Sequence, residues 1–455
     1  MRTSFRLKRT RAFDKEARVS TKKLSNPNRH LPVRPNLDQL KNQAKDLLKA
    51  FKRRDPSAIS EFGAFHPHGR EWLSSPESEI KLADAQVVLA RSYGVASWPR
   101  LVQACRVIEA IWLDQLEELK ALLEKNPSLL HENARGTLKC NWGPPMSYAS
   151  NLGRDEIIKM LYGLGARDLE HAIDRATLQS KITTARMLHQ WLGSPKPADD
   201  SLGGPAYTLS AVGTALMLEL GARVIDHAGK RVAPVDVVLE TDSRKPFAKH
   251  EILELYVTHG LELPDTPPMA VHRGRIDLLE RHLRRDPKLL EKTFNHEEIY
   301  PPELGCHDDV NATQGTPLKG TSLLHMCADY DELEIARWLL DQGMDPNVKA
   351  EVDSEEFGGH TALFGTVVSQ PAFWINHQGL EPAAALTQLL LDRGADPNIR
   401  ASIRKQLHPG YGPRFDVSKA YEYRGVTALS WGRQFHAQVF VNGLALRLIE
   451  DAGGN

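Results

Sequence analysis

The chain has 455 residues, of which 41% are hydrophobic and 25% charged, and its formal net charge is zero. This globular composition excludes a wholly disordered chain, a collagen-like fibre and a membrane protein dominated by spans. Only four cysteines occur, without a close pair, which argues against a disulfide scaffold and predicts a reducing, cytoplasmic compartment.

Although the net charge of the chain is zero, its N-terminus is basic. Residues 1–30 carry a net charge of +8, residues 31–112 a net of +3, and the remainder a net of −11. Charged residues interrupt the apolar residues of this N-terminal segment, so no secretory signal is predicted. The Arg-rich opening weakly resembles an organelle transit peptide, and a disordered tail is the favoured interpretation of residues 1–30. No uncharged stretch reaches the ~20 apolar residues that a membrane span needs.

Residues 31–97 are predicted to form a separate helical cap. Apolar residues at helical spacing give its first helix one apolar stripe: Leu37, Leu40, Ala44, Leu47, Leu48 and Phe51. Asp55 before Pro56 predicts a second helix, because Asp caps free amides and Pro suits the first helical turn. A third helix is predicted from about Ile80 to Tyr93, and Ser97 is predicted to start a fourth.

Two later segments share one helix-ending pattern. The sequence LLDQGMDPN contains Gly343, and LLDRGADPN contains Gly394. Glycine tolerates the left-handed conformation of a helix C-cap, and the proline that follows prevents helix continuation. Asn347 and Asn398 then suit a tight turn. Weaker copies of this ending recur at Gly165, Gly193, Gly221, Gly260 and Gly453. The recurrence predicts a series of short helix pairs.

A second short helix is predicted ahead of each such ending. Thr321 and Ser322 precede LLHMCA, and Thr361 precedes ALF. Hydroxyl side chains at these positions can cap helix amides. Cys327, within the first of these helices, is predicted to be an inert core residue.

These residues resemble the ankyrin repeat family, whose pattern is Gly-x-Thr-Pro-Leu-His-x-Ala-Ala followed by a helix ending Leu-Leu-x-x-Gly-Ala-Asp-x-Asn. The resemblance is specific over 320–401 and weaker elsewhere. It implies an all-α solenoid of about nine irregular helix-pair units over residues 98–453, with residues 31–97 similar to the helical leader of many bacterial ankyrin proteins. It also implies structural roles for Thr321, His325, Gly343, Asn347, Thr361, Gly394 and Asn398. Uneven spacing of the helix endings predicts insertions at 294–319, 368–383 and 402–424.

The function that the resemblance implies is a non-enzymatic protein–protein interaction scaffold, which binds a folded partner on its concave or loop face without a cofactor. Because the array is acidic, we expect a basic surface on that partner. No catalytic residue is predicted, and no membrane contact. Aromatic residues in the insertions look exposed and are the candidate contact residues, since Trp and Tyr are enriched among interface hot spots: Tyr300, Trp374, Tyr411, Tyr421 and Tyr423. The alternative is that these rings pack their own loops onto the helices.

Two alternatives of other classes stay open. An enzyme or metal-binding protein could use the insertions, because His296-Glu297-Glu298 and Cys306-His307-Asp308-Asp309 share one of them. The pair His66 and His68 is a weaker metal candidate, since no further ligand is spaced nearby, and the favoured interpretation contains no metal. Nucleic acid could bind the basic tail together with the lysine face of the first helix, although no known reading motif occurs there: Lys41, Lys45, Lys49 and Lys52.

Overall fold

A computed structural model describes residues 27, 29–69, 80–137, 141–241, 244–313, 315–368, 383–407 and 419–455. Within Met1–Arg106 and Arg135–Lys139 the described residues form one compact unit, and within Val107–Ala134 and Cys140–Asn455 they form a second. The helices of the described residues are α1 Leu37–Lys52, α2 Pro56–Phe65, α3 Leu82–Ser92, α4 Trp98–Trp112, α5 Leu116–Lys125, α6 Pro145–Leu152, α7 Asp155–Gly163, α8 Leu169–Leu178, α9 Ile182–Trp191, α10 Gly203–Thr208, α11 Ala211–Glu219, α12 Val235–Leu239, α13 Pro246–Thr258, α14 Pro267–His272, α15 Ile276–Arg285, α16 His296–Ile299, α17 Leu323–Tyr330, α18 Leu333–Asp341, α19 Ala362–Gly365, α20 Ala385–Asp392, α21 Ala428–Gln434 and α22 Gly443–Asp451. The strands are β1 Ala401–Lys405 and β2 Tyr421–Val426.

The first unit is built on α1, α2 and α3, which pack against one another. Helix α1 begins where the Asn36 side chain accepts hydrogen bonds from the amides of Asp38 and Gln39. Helix α2 begins at the predicted cap, where Asp55 accepts from the two amides that follow Pro56. The apolar stripe of α1 packs into the core that it forms with α2 and α3. The ring centroids of Phe51 and Phe62 lie 4.2 Å apart. The predicted helix starts and the core face of this unit are therefore found.

Each of the nine predicted sequence units contains two consecutive helices. The pairs are α4/α5, α6/α7, α8/α9, α10/α11, α12/α13, α14/α15, α17/α18, α19/α20 and α21/α22. The first helices of neighbouring pairs pack side by side, α6 on α8 and α8 on α10, and again α17 on α19 and α19 on α21. Such stacking buries a continuous core between repeats. The prediction of an all-α solenoid is confirmed, with the β1–β2 hairpin as its strand content within the described residues.

Glycine ends the second helix of most pairs in the left-handed conformation. Gly343 has φ +95° and Gly394 has φ +88°, and no neighbour would contact an added Cβ at either position. Backbone conformation, and not packing space, thus requires glycine here. The same conformation occurs at Gly165, Gly193, Gly221, Gly260 and Gly453.

The asparagines of the two matching endings tie successive repeats together. The Asn347 side chain donates to the carbonyl of Gly394 at 3.0 Å and accepts from the amide of Asp396 at 2.7 Å. One repeat later, Asn398 donates to the carbonyl of Gly453 at 3.1 Å and accepts from the amide of Asn455 at 3.0 Å. Each asparagine therefore satisfies the free backbone groups at the next helix end, which fixes the spacing between turns.

Replacing Asn347 by Ala is expected to lower the free energy of unfolding by about 1–2 kcal/mol, since two hydrogen bonds of about 0.5–1.5 kcal/mol each are lost. Urea unfolding followed by circular dichroism measures this. Asn347→Asp is the informative companion, because it keeps the acceptor for Asp396 and removes the donor to Gly394. Equal stability of wild type and Asn347→Ala would contradict a role in repeat spacing.

Residues 294–319, here called the strap, connect distant parts of the second unit. Near its start, Phe294 pairs with Thr321 through backbone hydrogen bonds. In its middle, the carbonyl of Leu304 accepts a hydrogen bond from Arg231. Near its end, the carbonyl of Asn311 accepts from the amide of Gln406 at 3.0 Å. The strap therefore contacts the segment before α12, the turn before α17 and the end of β1.

The 402–424 region begins and ends as the antiparallel hairpin of β1 and β2, with Ile403 opposite Tyr423 and Lys405 opposite Tyr421. Lys405 is fully buried, and its ammonium donates to the strap carbonyls of Asn311 and Thr313. The sequence predicted an insertion here but no strands. Of the 368–383 insertion, residues 369–382 lie outside the described residues.

Candidate functional site

The residues with repeat-specific roles lie at the junctions of consecutive repeats. His325 on α17 is fully buried; its Nδ1 accepts from the amide of Ser322 at 3.3 Å, and its Nε2 lies 2.9 Å from the carbonyl of His360. A carbonyl can only accept, so Nε2 carries the proton. His360 makes a similar contact in the opposite direction along the chain, with Nε2 3.1 Å from the carbonyl of Pro317 on the strap. Burial lowers the pKa of His325 to about 4 and that of His360 to about 3.

The two threonines of the repeat pattern are buried at the same junctions. The hydroxyl of Thr321 donates to the carbonyl of Leu318 at 2.9 Å. Thr361 is the residue that precedes α19 and has extended backbone. Cys327 on α17 is fully buried, and burial holds the pKa of its thiol well above the ordinary value. A protonated thiol inside the core is unreactive.

The aromatic residues chosen from the sequence have unequal positions. Tyr300 is 5% exposed and Tyr423 is 7% exposed, so both rings pack within the fold and neither presents the exposed surface expected of a contact residue. Tyr300 accepts a hydrogen bond at 2.5 Å from the hydroxyl of Tyr330, and Tyr423 packs against Trp431 and Phe435. These contacts within the fold hold both rings inside it.

Tyr421 is partly exposed and stacks on His436 with ring centroids 3.8 Å apart. The ammonium of Lys419 lies 4.9 Å from the centroid of the Tyr421 ring. Trp374 and Tyr411 lie outside the described residues. Among the proposed contact residues that the structure describes, Tyr421 is the one that retains a solvent-facing surface.

The metal candidates of the sequence are only partly brought together. His66 is buried with Nε2 3.7 Å from a carboxylate oxygen of Asp84, and burial lowers its pKa. His296 is buried on the strap with Nε2 3.3 Å from the carbonyl of Asp308. His307 and Asp308 instead meet Glu240, the residue that follows α12. Within the described residues, this set of three has ligand atoms within 4.8 Å of one another.

The electrostatics of this cluster follow from its partial burial. Glu240 Oε1 accepts hydrogen bonds from the backbone amides of His307 and Asp308, at 2.6 and 2.8 Å. Burial, together with repulsion from Asp308, raises the pKa of Glu240 to about 7. The pKa of His307 is also raised, first by its hydrogen bond to the carbonyl of Gly305 and then by the nearby carboxylates.

A groove of about 740 Å³ lies where the loop before α14 faces the start of the strap. Its buried surface is apolar and comes from Pro268, Phe294 and Pro301. Proline-rich walls are rigid, because each ring fixes its own backbone angle. The glutamates of the groove are all exposed at its rim: Glu291, Glu297, Glu298 and Glu303.

The charge of this groove, here called the acidic groove, is negative and uncompensated. None of its four glutamates forms an ion pair with a described residue, whereas its one lysine, Lys292, is paired with Asp286. Arg285, near one wall, is likewise paired with Asp265 at 3.6 Å. The local cations are therefore already neutralised, and the rim carboxylates face solvent.

Sequence reasoning found His307 and Asp308 but missed Glu240 and the groove, because the residues of each site lie far apart in the chain. Glu240 lies 67 positions before His307, and nothing in its neighbourhood marks it as a partner of the strap. The doublet Glu297-Glu298 was noticed only as a possible metal ligand. A concentration of prolines before α14 and after α16 was the available signal for a rigid groove.

The comparisons with known proteins concern the repeat array. A family model described as Ankyrin repeat matches residues 319–351. A comparison with curated proteins finds no match. Among solved structures, the human ASB11 ankyrin repeat domain is 14% identical, with 68% of this chain and 98% of that chain covered and a TM-score of 0.24. The ankyrin repeat domain of Bcl-3, a member of the IkappaB protein family, is 16% identical, with 61% and 97% covered and a TM-score of 0.21.

The matched segment contains the Thr321 turn, α17, α18 and the left-handed Gly343, which are the parts that recur along the array. Among the described residues, no helix combines the length and the apolar composition needed to cross a bilayer. Residues 319–351 therefore match the ankyrin repeat model, and the other helix pairs share the glycine caps of this segment.

Proposed function

We propose that the repeat array is a non-enzymatic protein-binding module whose partner presents a basic surface to the acidic groove. Ankyrin repeats are interaction modules, which supports protein binding in general. The observation that carries the specific proposal is a rim of four glutamates that form no ion pair within the described part of the chain, around the buried side chains of Pro268, Phe294 and Pro301. The buried thiols of Cys306 and Cys327 support a reducing, cytoplasmic location for this activity.

The chemistry of the groove suits lysine and arginine side chains. Their aliphatic stems can cover the surface of Pro268, Phe294 and Pro301 while their charged ends reach the rim. A rigid groove loses little conformational entropy when a partner binds. Complementary charge raises the association rate, and salt screens this effect over about 8–10 Å.

The groove variant Glu291→Gln/Glu297→Gln/Glu298→Gln/Glu303→Gln should bind a basic partner at least ~10-fold more weakly than wild type, because four attractive charges are lost. The probe is a fluorescein-labelled peptide of twelve alternating Lys and Arg residues, measured by fluorescence anisotropy at several salt concentrations. Wild-type affinity is expected to fall as salt rises, and the variant is expected to respond less. Glutamine at 298 preserves the acceptor that caps α16.

A matched control removes the same charge elsewhere on the array. Glu117, Glu118, Glu124 and Glu334 are also exposed and outside described ion pairs, and their glutamine variant should bind the probe as wild type does. Equal weakening in both variants would show a general charge effect and contradict the proposed groove. Affinity purification from cell extract with the same pair of variants then separates groove-dependent partners from the rest.

The contact residues proposed from the sequence are tested in the same purification. Trp374→Ala and Tyr411→Ala address the insertions. Deletion of residues 1–54 addresses nucleic-acid association through the basic tail and α1, and Lys41→Gln/Lys45→Gln/Lys49→Gln/Lys52→Gln is its companion, because it removes the charge of α1 and keeps the buried stripe. Partners that survive these changes but are lost with the groove variant favour the acidic groove. Partners lost with Trp374→Ala alone favour the insertion surface.

A further inference from the structure

The junction between the strap and α12 contains three metal-type ligands from two distant chain segments. Glu240 follows α12, and His307 and Asp308 lie on the strap. A ring nitrogen of His307 and one carboxylate oxygen from each acid lie within 4.8 Å of one another. Ligand atoms on a single ion of zinc size are separated by a few ångströms, because each lies about 2.0–2.2 Å from the metal.

Backbone hydrogen bonds orient this set. The amides of His307 and Asp308 both donate to Oε1 of Glu240, at 2.6 and 2.8 Å. Oε2 is thereby turned toward the His307 ring, whose Nδ1 lies 3.5 Å away. The carbonyl of Gly305 lies 3.0 Å from the same Nδ1. Hydrogen bonds of this kind fix the orientation of ligands in metal sites.

The Glu240 carboxylate lies in a mostly buried position, where its Oε2 faces the His307 ring. Its side chain is only 7% exposed. No described Lys or Arg forms an ion pair with it, and Arg231, which faces the same strap segment, donates to the carbonyl of Leu304. A buried carboxylate oxygen normally has a donor or a cation as its partner. A cation held by Oε2, the His307 ring and Asp308 would compensate this carboxylate.

We propose that Glu240, His307 and Asp308 bind one divalent transition-metal ion, with water completing the coordination. One imidazole with two carboxylates suits zinc, which accepts nitrogen and oxygen ligands, better than calcium, which prefers six to eight oxygens. The ion would join the strap to α12 and compensate the two carboxylates. This site is separate from the acidic groove, and it stands whether or not that groove binds a partner.

The test is equilibrium dialysis of the full chain against micromolar Zn²⁺, with the bound metal counted by mass spectrometry. Wild type should hold one ion per chain. His307→Ala and Glu240→Gln should each weaken binding at least ~10-fold. His307 is 75% exposed at its side chain, so its removal leaves packing intact. Gln at position 240 keeps an oxygen for the two amides and replaces Oε2 by a donor, so the loop is retained while the metal ligand is lost.

His227→Ala is the matched control, since His227 is an exposed loop histidine of the same unit, and it should bind zinc as wild type does. A second readout is the thermal midpoint, which zinc should raise in wild type and His227→Ala but not in His307→Ala. Failure of wild type to hold a stoichiometric ion would overturn the proposal. Equal zinc binding by wild type and His307→Ala would do the same, as would calcium binding that His307→Ala leaves unchanged.

Discussion

Replacing Glu332 by Gln should lower the free energy of unfolding by about 3–5 kcal/mol, the cost of leaving a buried charge without its partner. Glu332 lies between α17 and α18, and Lys249 lies on α13; their ion pair is 2.8 Å long with side chains 2% and 1% exposed. The Lys249 ammonium also lies 3.8 Å from the centroid of the Tyr330 ring. His250 gives Glu332 a second contact at 2.9 Å. Although burial alone would raise it, these neighbours hold the pKa of Glu332 below its ordinary value.

The measurement is urea unfolding of the full chain, followed by circular dichroism. The double variant Lys249→Met/Glu332→Leu should recover much of the stability that Glu332→Gln loses, because no charge is then left buried. Glu219→Gln is the surface control: it breaks the exposed ion pair with Arg186 and should change stability little. If Glu332→Gln and Glu219→Gln have similar effects, the buried pair does not couple α13 to α17 and α18.

Stability should fall by about 4 kcal/mol between pH 7 and pH 5 through His325 and His360 together, at about 2 kcal/mol each. Burial lowers their pKa values to about 4 and about 3 in the folded state, against about 6.5 in an unfolded chain. Below pH 6.5 the unfolded state therefore binds protons that the folded state refuses. The contribution of these two histidines to the free energy of unfolding is complete above pH 7 and is lost progressively as pH falls toward 4. The two rings lie 5.4 Å apart, so charging one also disfavours charging the other.

His360→Gln isolates this contribution. Gln retains an amide donor for the carbonyl of Pro317 but does not titrate, so the loss of stability between pH 7 and pH 5 should shrink by about 2 kcal/mol. His131→Gln is the control, because His131 is exposed and its surroundings change little on unfolding. Unfolding midpoints at pH 5, 6 and 7 decide the outcome. An unchanged pH dependence in His360→Gln would refute the assignment to buried histidine.

The repeat frame could be predicted from local chemistry. Gly343 and Gly394 end helices in the left-handed conformation that few other residues adopt. Asp55 caps α2 by bonding amides within three positions of itself. Asp345 and Asp396 turn the chain by accepting from the asparagine amides two positions on. Each of these interactions is complete within a few residues, so the sequence carries the whole cause.

The exposure of individual aromatic rings could not be predicted in this way. Tyr300 and Tyr423 stand in segments rich in proline, glycine and charge, which is typical of exposed loops. Both are buried because distant residues cover them, Tyr330 and His272 around the first and Trp431 and Phe435 around the second. Tyr421, two positions before Tyr423 on the same strand, has a partly exposed ring. Since residues two apart on a strand share a face, the exposure of each ring depends on how far the covering residues reach along β2, which is a tertiary property.

By itself the sequence determined the helix pairs, their caps and the acidic balance of the array. The tertiary structure alone decided what the insertions do: how the strap brings His307 and Asp308 to Glu240, how Lys405 is buried against Asn311, and how prolines from two loops enclose the acidic groove. The physical reason is the separation along the chain between the residues that interact. Caps and turns are fixed by hydrogen bonds between near neighbours in the chain, whereas these sites need residues that lie tens of positions apart and meet only when the repeats stack.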